Sequence, residues 1–181
     1  DTTEKEWRHL NFFQYEAYLH ARVPRVNCPN EGCGVKQVTV PWARAGSGFT
    51  LLFEALVMAM CRDLPVKVMS RLFTVTDTRL WRVIQAYVDK ARAAEDYSDV
   101  TRIGADETFA KRGRDDNFVT FFFDLDKRKL LFGTKGKDNE TVKRFVADLE
   151  AHGGDPEKVT DAAIDMSKAF IKGVKEQLPN A

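Results

Sequence analysis

Two aspartates stand at the ends of apolar segments that the sequence predicts to be β-strands. Asp106 closes the segment 103–106, and Asp165 closes the segment 162–165. A carboxylate at the end of a buried strand is costly without a partner, so two of them favour a shared cation. If the strands are neighbours in one sheet, both carboxylates project from one edge and can hold Mg²⁺ or Mn²⁺. Strand-end aspartates also serve as helix caps or turn formers, and spacing alone leaves that alternative open.

Charged residues follow the first of these aspartates. Glu107 points to the opposite face if the strand continues, so we interpret it as structural. Lys111 and Arg112 are candidates for contacts with a DNA backbone, and ordinary turn charges are an equally supported alternative. Two divalent ions about 3.5–4 Å apart at the aspartates would activate a water or a 3′-hydroxyl for phosphodiester exchange.

A thiol pair is the second group that could do chemistry. Cys28 and Cys33 form a C-x₄-C pattern, which is half of a tetrahedral zinc site, and His9 and His20 are candidates for the other two ligands. A buried thiol pair without metal is the alternative. Cys61 lies in an apolar helical segment and is predicted to be a core residue. An odd number of cysteines, three in all, argues against a disulfide framework.

Three helices are predicted between the thiol pair and the first aspartate. The first covers residues 49–61, with Ser47 as its N-cap and an inner face of Leu52, Leu56 and Met60. The second begins at Pro65 and runs to residue 73. A turn over residues 74–77 leads to the third, whose predicted inner residues are Leu80, Val83, Ile84, Tyr87 and Val88 and whose predicted outer residues are Arg79, Arg82, Lys90 and Arg92.

These helices have the outline of a helix-turn-helix, and a plain three-helix packing unit is the alternative. Residues 22–92 contain 11 basic and 5 acidic side chains, which favours a surface that faces DNA. Arg79 and Arg82, on the early turns of the third helix, are the predicted DNA contacts.

The remaining segments are short strands and two helices. Strands are predicted over residues 10–13, 17–23, 100–106, 118–124, 129–132 and 159–165. A helix capped by Asp138 or Asn139 and another capped by Ser167 follow the third and fourth strands of the C-terminal half. The order there, β-β-β-α-β-α, is the opening order of an RNase H-like domain.

Several segments in series resemble the DDE transposases of the bacterial ISL-three insertion sequences. The resemblance covers essentially the whole chain. It rests on the sequence motifs VPWAR at 40–44, SGFT at 47–50, IGADET at 103–108, KRG at 111–113 and DMSKAF at 165–170. It implies that Asp106 and Asp165 are the first two catalytic aspartates and that a later glutamate completes the triad. No residue here matches that glutamate, so the chain is expected to be a front portion, truncated at both ends and catalytically poor by itself.

The resemblance also implies a multi-module α+β and α/β organisation. We expect a partial zinc ribbon over residues 1–46, a helix-turn-helix DNA-binding module over 47–95 and the N-terminal part of an RNase H-like catalytic domain over 96–181. In the ribbon, Cys28 and Cys33 would be one zinc ligand pair, and the other pair would precede residue 1. The implied partner is double-stranded DNA at the terminal inverted repeats of the element.

Composition limits the remaining classes of function. With 44% hydrophobic residues and 30% charged residues the chain can form a core, and no segment reaches the roughly 18 apolar residues of a membrane span. The first residues lack the pattern of a secretion signal, so a bacterial cytoplasmic, nucleoid-associated location is expected. An exposed sheet edge leads us to expect self-association. The alternative to a transposase is a non-enzymatic DNA-binding remnant that regulates or competes with a full-length copy.

Overall fold

The computed structural model describes residues 2–30, 32–109, 118–165 and 168–181. Contacts between residues divide the chain into two compact units, Asp1–Ala91 and Arg92–Ala181. The finer division into three modules, with boundaries after residues 46 and 95, stays a prediction. Within the described residues, no helix has the length and apolar character needed to cross a membrane.

A three-stranded antiparallel sheet opens the first unit. Its strands are β1 (Thr2–Arg8), β2 (Tyr18–Asn27) and β3 (Val35–Gln37), in that order. The strand predicted over residues 10–13 was wrong: Phe12 and Tyr15 exchange backbone hydrogen bonds of 2.9 and 3.1 Å around a turn in which Phe13 has a φ of 54°. The actual partner of β2 lies earlier. This strand, β1, was not predicted because it lacks an apolar alternation: only Trp7 and Arg8 are buried in it.

Three helices complete the first unit, at nearly the predicted positions. They are α1 (Leu51–Met60), α2 (Val66–Phe73) and α3 (Asp77–Arg92). The N-cap of α1 is Thr50, whose hydroxyl accepts a hydrogen bond from the Phe53 amide, and not Ser47 as predicted. Ser47 instead bonds the buried carboxylate of Glu54 at 2.6 Å.

The inner face of α1 was predicted wrongly. Phe53, Glu54 and Val57 are its buried residues, whereas Leu52 is 60% exposed. Nearly every residue of α1 is apolar, so periodicity does not select one face. The selection comes from tertiary contact, since the Phe53 ring stacks on Phe49 with centroids 4.8 Å apart. In α3, Leu80 and Val83 are buried as predicted and Val88 is 40% exposed.

The second unit has the predicted β-β-β-α-β-α order. Its elements are β4 (Arg102–Phe109), β5 (Phe118–Asp124), β6 (Lys129–Lys135), α4 (Asn139–Ala151), β7 (Asp161–Ala163) and α5 (Lys168–Gln177), with a short 3₁₀ turn before β7. The sheet order is β6-β5-β4-β7, in which β7 runs parallel to β4 and the other pairs are antiparallel. The predicted crossover is confirmed, and the order is that of a partial RNase H-like fold.

Helix α4 begins at a capping box and covers the core of this unit. The Asp138 carboxylate accepts a hydrogen bond from the Thr141 amide, and the Thr141 hydroxyl accepts one from the Asp138 amide. The predicted inner residues Val142, Phe145, Val146 and Leu149 are all buried. The predicted cap of α5, Ser167, lies outside the described residues.

Candidate functional site

The pairing of β4 with β7 makes the strand that contains Asp106 the neighbour of the strand that leads to Asp165. The register places Ile103 opposite Ala162 and Gly104 opposite Ala163. β7 ends at Ala163, and Asp165 follows this pair by two residues, as Asp106 does on β4. Neighbouring strands lie about 4.8 Å apart, so carboxylates at aligned positions can share a ligand. The sequence analysis required the two strands to be neighbours in one sheet, and β4 and β7 are neighbours.

The alternation of β4 separates Asp106 from Glu107. Ile103 is buried and Ala105 packs against the same core, so Glu107 shares their face and Asp106 lies on the other. Asp106 and Asp165 are both exposed, and Glu107 is half-buried. Burial raises the pKa of Glu107; Lys137 opposes the shift, and the charges of Asp165 and Asp106 add to it. Glu107 thus lies within electrostatic range of both aspartates.

The chemistry of these two aspartates fits a hard divalent cation, because exposed carboxylate oxygens are the ligands that Mg²⁺ and Mn²⁺ take alongside retained waters. Across the described ranges, no group of three or more histidine, cysteine, aspartate or glutamate side chains has the geometry to hold a metal. Lys111 and Arg112, the predicted backbone contacts after Asp106, lie outside the described residues.

The thiol pair sits at a tight knuckle that follows β2. The Cys28 amide donates to the Gly34 carbonyl at 3.0 Å and the Cys33 amide donates to the Asn30 carbonyl at 3.0 Å. Gly32 and Gly34 have φ values of 77° and 65°, which residues other than glycine rarely adopt. The side chains of Cys28 and Cys33 shift each other's pKa, so the two thiols are near enough to interact, as ligands of one zinc ion must be.

The two histidines that were candidates for the remaining ligands make other contacts. The Nδ1 atom of His9 lies 2.8 Å from the Thr50 hydroxyl, at the start of α1. The Nε2 atom of His20 lies 3.4 Å from the carboxylate of Glu6 on the neighbouring strand. Both histidines thus have partners other than the thiols, which by themselves supply half of the four ligands of a zinc site.

The knuckle makes the two thiols unequal. The hydrogen bond from the Cys33 side chain lowers the pKa of Cys28, and the same bond raises the pKa of Cys33. A lowered pKa means more thiolate at a given pH, so iodoacetamide should alkylate Cys28 before Cys33 in the zinc-free protein at neutral pH. Peptide mass spectrometry over time measures the order, with Cys61 as the internal reference. Faster modification of Cys33 would contradict the assignment of donor and acceptor.

A buried carboxylate that sequence analysis missed organises the helical part of the first unit. Glu54 is fully buried in α1 and accepts hydrogen bonds from Ser47 at 2.6 Å and from Arg44 Nη2 at 3.1 Å. Burial and then the charge of Glu54 raise the pKa of Tyr87 on α3. Glu54 therefore links the loop before α1 to α3. A charged residue inside an otherwise apolar helix was the signal that could have revealed it.

Family comparisons match three successive regions that make up most of the chain. A model of a zinc finger of the transposases of IS204, IS1001, IS1096 and IS1165 matches residues 1–36. The helix-turn-helix domain of transposase family ISL3 matches residues 38–88, and the ISL3 DDE transposase domain matches residues 103–181. The chain belongs to the ISL3 transposase family. The three matched regions are a zinc ribbon, a helix-turn-helix and a DDE domain, the domain types that the sequence motifs had indicated.

Curated relatives agree with this ISL3 membership. The chain is similar to the transposase for insertion sequence element IS1557 of Mycobacterium tuberculosis, in strain CDC 1551 / Oshkosh and in strain ATCC 25618 / H37Rv. Each relative is 29% identical over 182 residues, which cover 98% of this chain and 39% of the relative. The chain thus spans about two fifths of the length of these relatives. The ISL3 domains imply DNA binding and the use of a divalent metal, and the ribbon match suggests zinc.

Proposed function

We propose that this ISL3 chain is the part of an insertion-sequence transposase that binds element-end DNA and contributes two carboxylates to metal-dependent strand cleavage and transfer. The observation that carries the proposal is the parallel pairing of β4 with β7, which makes the strand of Asp106 the neighbour of the strand that leads to Asp165. The exposure of both carboxylates supports it, since a DNA phosphate must approach them from solvent.

In this proposal Asp106 and Asp165 are metal ligands. Divalent ions held there, Mg²⁺ or Mn²⁺, would polarise the scissile phosphodiester and lower the pKa of the attacking water or 3′-hydroxyl. The attacking oxygen forms a new P–O bond as the bond from phosphorus to the leaving oxygen breaks. Asp106 and Asp165 would hold the ions in position and balance part of their positive charge. The third acid of a DDE site has no assigned residue here.

The DNA-binding surface is proposed to use the helix-turn-helix and basic residues near the aspartates. Arg79 and Arg82, both exposed on α3, would contact the terminal inverted repeats of the element. Lys111 and Arg112 would contact the backbone beside the scissile phosphate. Cys28 and Cys33 would hold a zinc ion that stabilises the ribbon.

The metal assignment predicts a specific loss. Asp106→Asn and Asp165→Asn should each weaken Mn²⁺ binding at least about tenfold, since changes to residues around metal sites already cost about 10–100-fold. Binding is measured from the relaxation of water protons by Mn²⁺. Asp161→Asn is the matched control, because Asp161 is exposed on β7 and pairs with Arg102. Equal affinities in all four proteins would remove Asp106 and Asp165 from the metal site and favour the non-enzymatic DNA-binding alternative.

A nicking assay completes the test. The purified 181-residue chain should leave supercoiled plasmid intact in Mg²⁺, because two carboxylates do not make the three-acid site. Strong Mg²⁺-dependent nicking that is lost in Asp106→Asn would place a third ligand within this chain.

We also propose that the chain self-associates through the second sheet. On the face opposite α4, Phe123 is paired with Leu130, which is 49% exposed, and β6 is an edge strand. Apolar side chains beside an unpaired strand edge favour contact with another chain. Sedimentation equilibrium tests this, and a monomer at all concentrations would refute it.

A further inference from the structure

A cleft in the first unit collects three arginines around a glycine-rich loop. It has a volume of about 230 Å³, and we call it the arginine cleft; it is lined by Arg44, Arg79, Arg82, Phe49 and the loop 46–48. The sequence predicted two of these arginines as outward-facing helix residues. It did not predict that Arg44, from the segment before α1, would line the same cleft.

Two of the arginines are held in place by contacts within the unit. The guanidinium carbon of Arg79 lies 4.4 Å from the centre of the Phe49 ring. A methyl group added at Gly48 would lie 3.2 Å from Arg79 Nη2, so this nitrogen rests against the loop. Arg44 is bound through Nε and Nη2 to Glu54 at 3.4 and 3.1 Å. The cleft is therefore built before any ligand enters it.

The charges of the cleft do not balance. Glu54 is fully buried, and Ser47 and Arg44 already bond its carboxylate. Within the described part of the chain, neither Arg79 nor Arg82 has an ion-pair partner, and both are exposed. Three guanidinium groups thus face one satisfied carboxylate. An anion in the cleft would relieve their mutual repulsion.

We infer that the arginine cleft binds a phosphate group of the DNA backbone, so that Arg79 and Arg82 position the helix-turn-helix without reading base edges. The inference rests on the proposed DNA-binding function and assigns its ligand. Guanidinium forks match phosphate oxygens in pairs. A base-reading arginine must extend from its helix into the groove, whereas Arg79 is stacked on Phe49 beside the loop. Glu54 acts as a positioning residue, since it holds Arg44 and Ser47 at the cleft.

The test uses the full chain and a pool of duplex DNAs that differ in sequence, at several salt concentrations. Arg79→Ala and Arg82→Ala should each weaken binding by the same factor for every duplex. Each should also make the negative slope of log K against log salt shallower by about 0.9. Arg82→Lys should keep the slope, because it keeps the charge, while losing affinity with the fork. A loss confined to duplexes with one particular base would show base reading and overturn the inference.

A second measurement identifies the ligand directly. Inorganic phosphate, followed through the Nε–Hε resonances of arginine by NMR, should shift Arg79 and Arg82, and duplex DNA should shift the same two signals. Shifts with phosphate and none with DNA would make the cleft a site for free anions and overturn the assignment to the DNA backbone. If both alanine variants bind DNA with an unchanged slope of log K against log salt, the arginine cleft does not bind a DNA phosphate, and the proposed DNA-binding function still stands. Absence of DNA binding by the unaltered chain would refute the proposed function as well.

Discussion

Replacing Phe145 with alanine is expected to lower the free energy of unfolding of the second unit by about 3–5 kcal/mol. Phe145 is fully buried in α4, and its ring stacks on Phe122 with centroids 4.3 Å apart and planes 3° from parallel. The change removes this contact and leaves a cavity between the helix and the sheet. Hydrogen exchange of the α4 amides in rising denaturant measures the loss locally.

A matched substitution separates cavity formation from loss of apolar surface in general. Ile171 lies on α5 of the same unit and is 37% exposed, so Ile171→Ala should cost less than about 1 kcal/mol. Equal protection losses in the two variants would mean that α4 does not cover the sheet through Phe145.

Replacing Glu54 with alanine is expected to destabilise the first unit by about 2–4 kcal/mol. The substitution removes the acceptor of the Ser47 and Arg44 hydrogen bonds and leaves a gap beside α3. The loss stays below that of a fully buried ion pair, because the Arg44 side chain is 38% exposed and water can solvate it. Chemical denaturation followed by tryptophan fluorescence measures it.

Glu4→Ala provides the control for Glu54→Ala, because Glu4 is an exposed glutamate of β1 in the same unit. We expect it to change stability by less than about 0.5 kcal/mol. A Glu54→Ala protein as stable as this control would show that Glu54 does not link the loop to α3, and the arginine cleft would lose its positioning residue.

Local chemistry made several parts of this protein predictable. The cap and inner face of α4 follow from Asp138 and from apolar residues at helical spacing, and both appear in the structure. The order β-β-β-α-β-α follows from alternating runs and turns. Asp106 and Asp165 were singled out because a carboxylate that ends an apolar strand requires a partner. These features depend on neighbours within one or two turns of the chain.

Other features depend on contacts between distant residues, which a linear pattern does not contain. The buried face of α1 was chosen by the Phe49 ring and not by the spacing of leucines. Arg92, the last residue of α3 and the first of the second unit, was predicted as an outer residue but binds both carboxylate oxygens of Asp148 at 2.6 and 2.8 Å. The parallel pairing of β4 with β7 and the meeting of Arg44 with Arg79 and Arg82 are of the same kind. Pairing register and helix packing place such residues together, because burial energy depends on which surfaces meet in space.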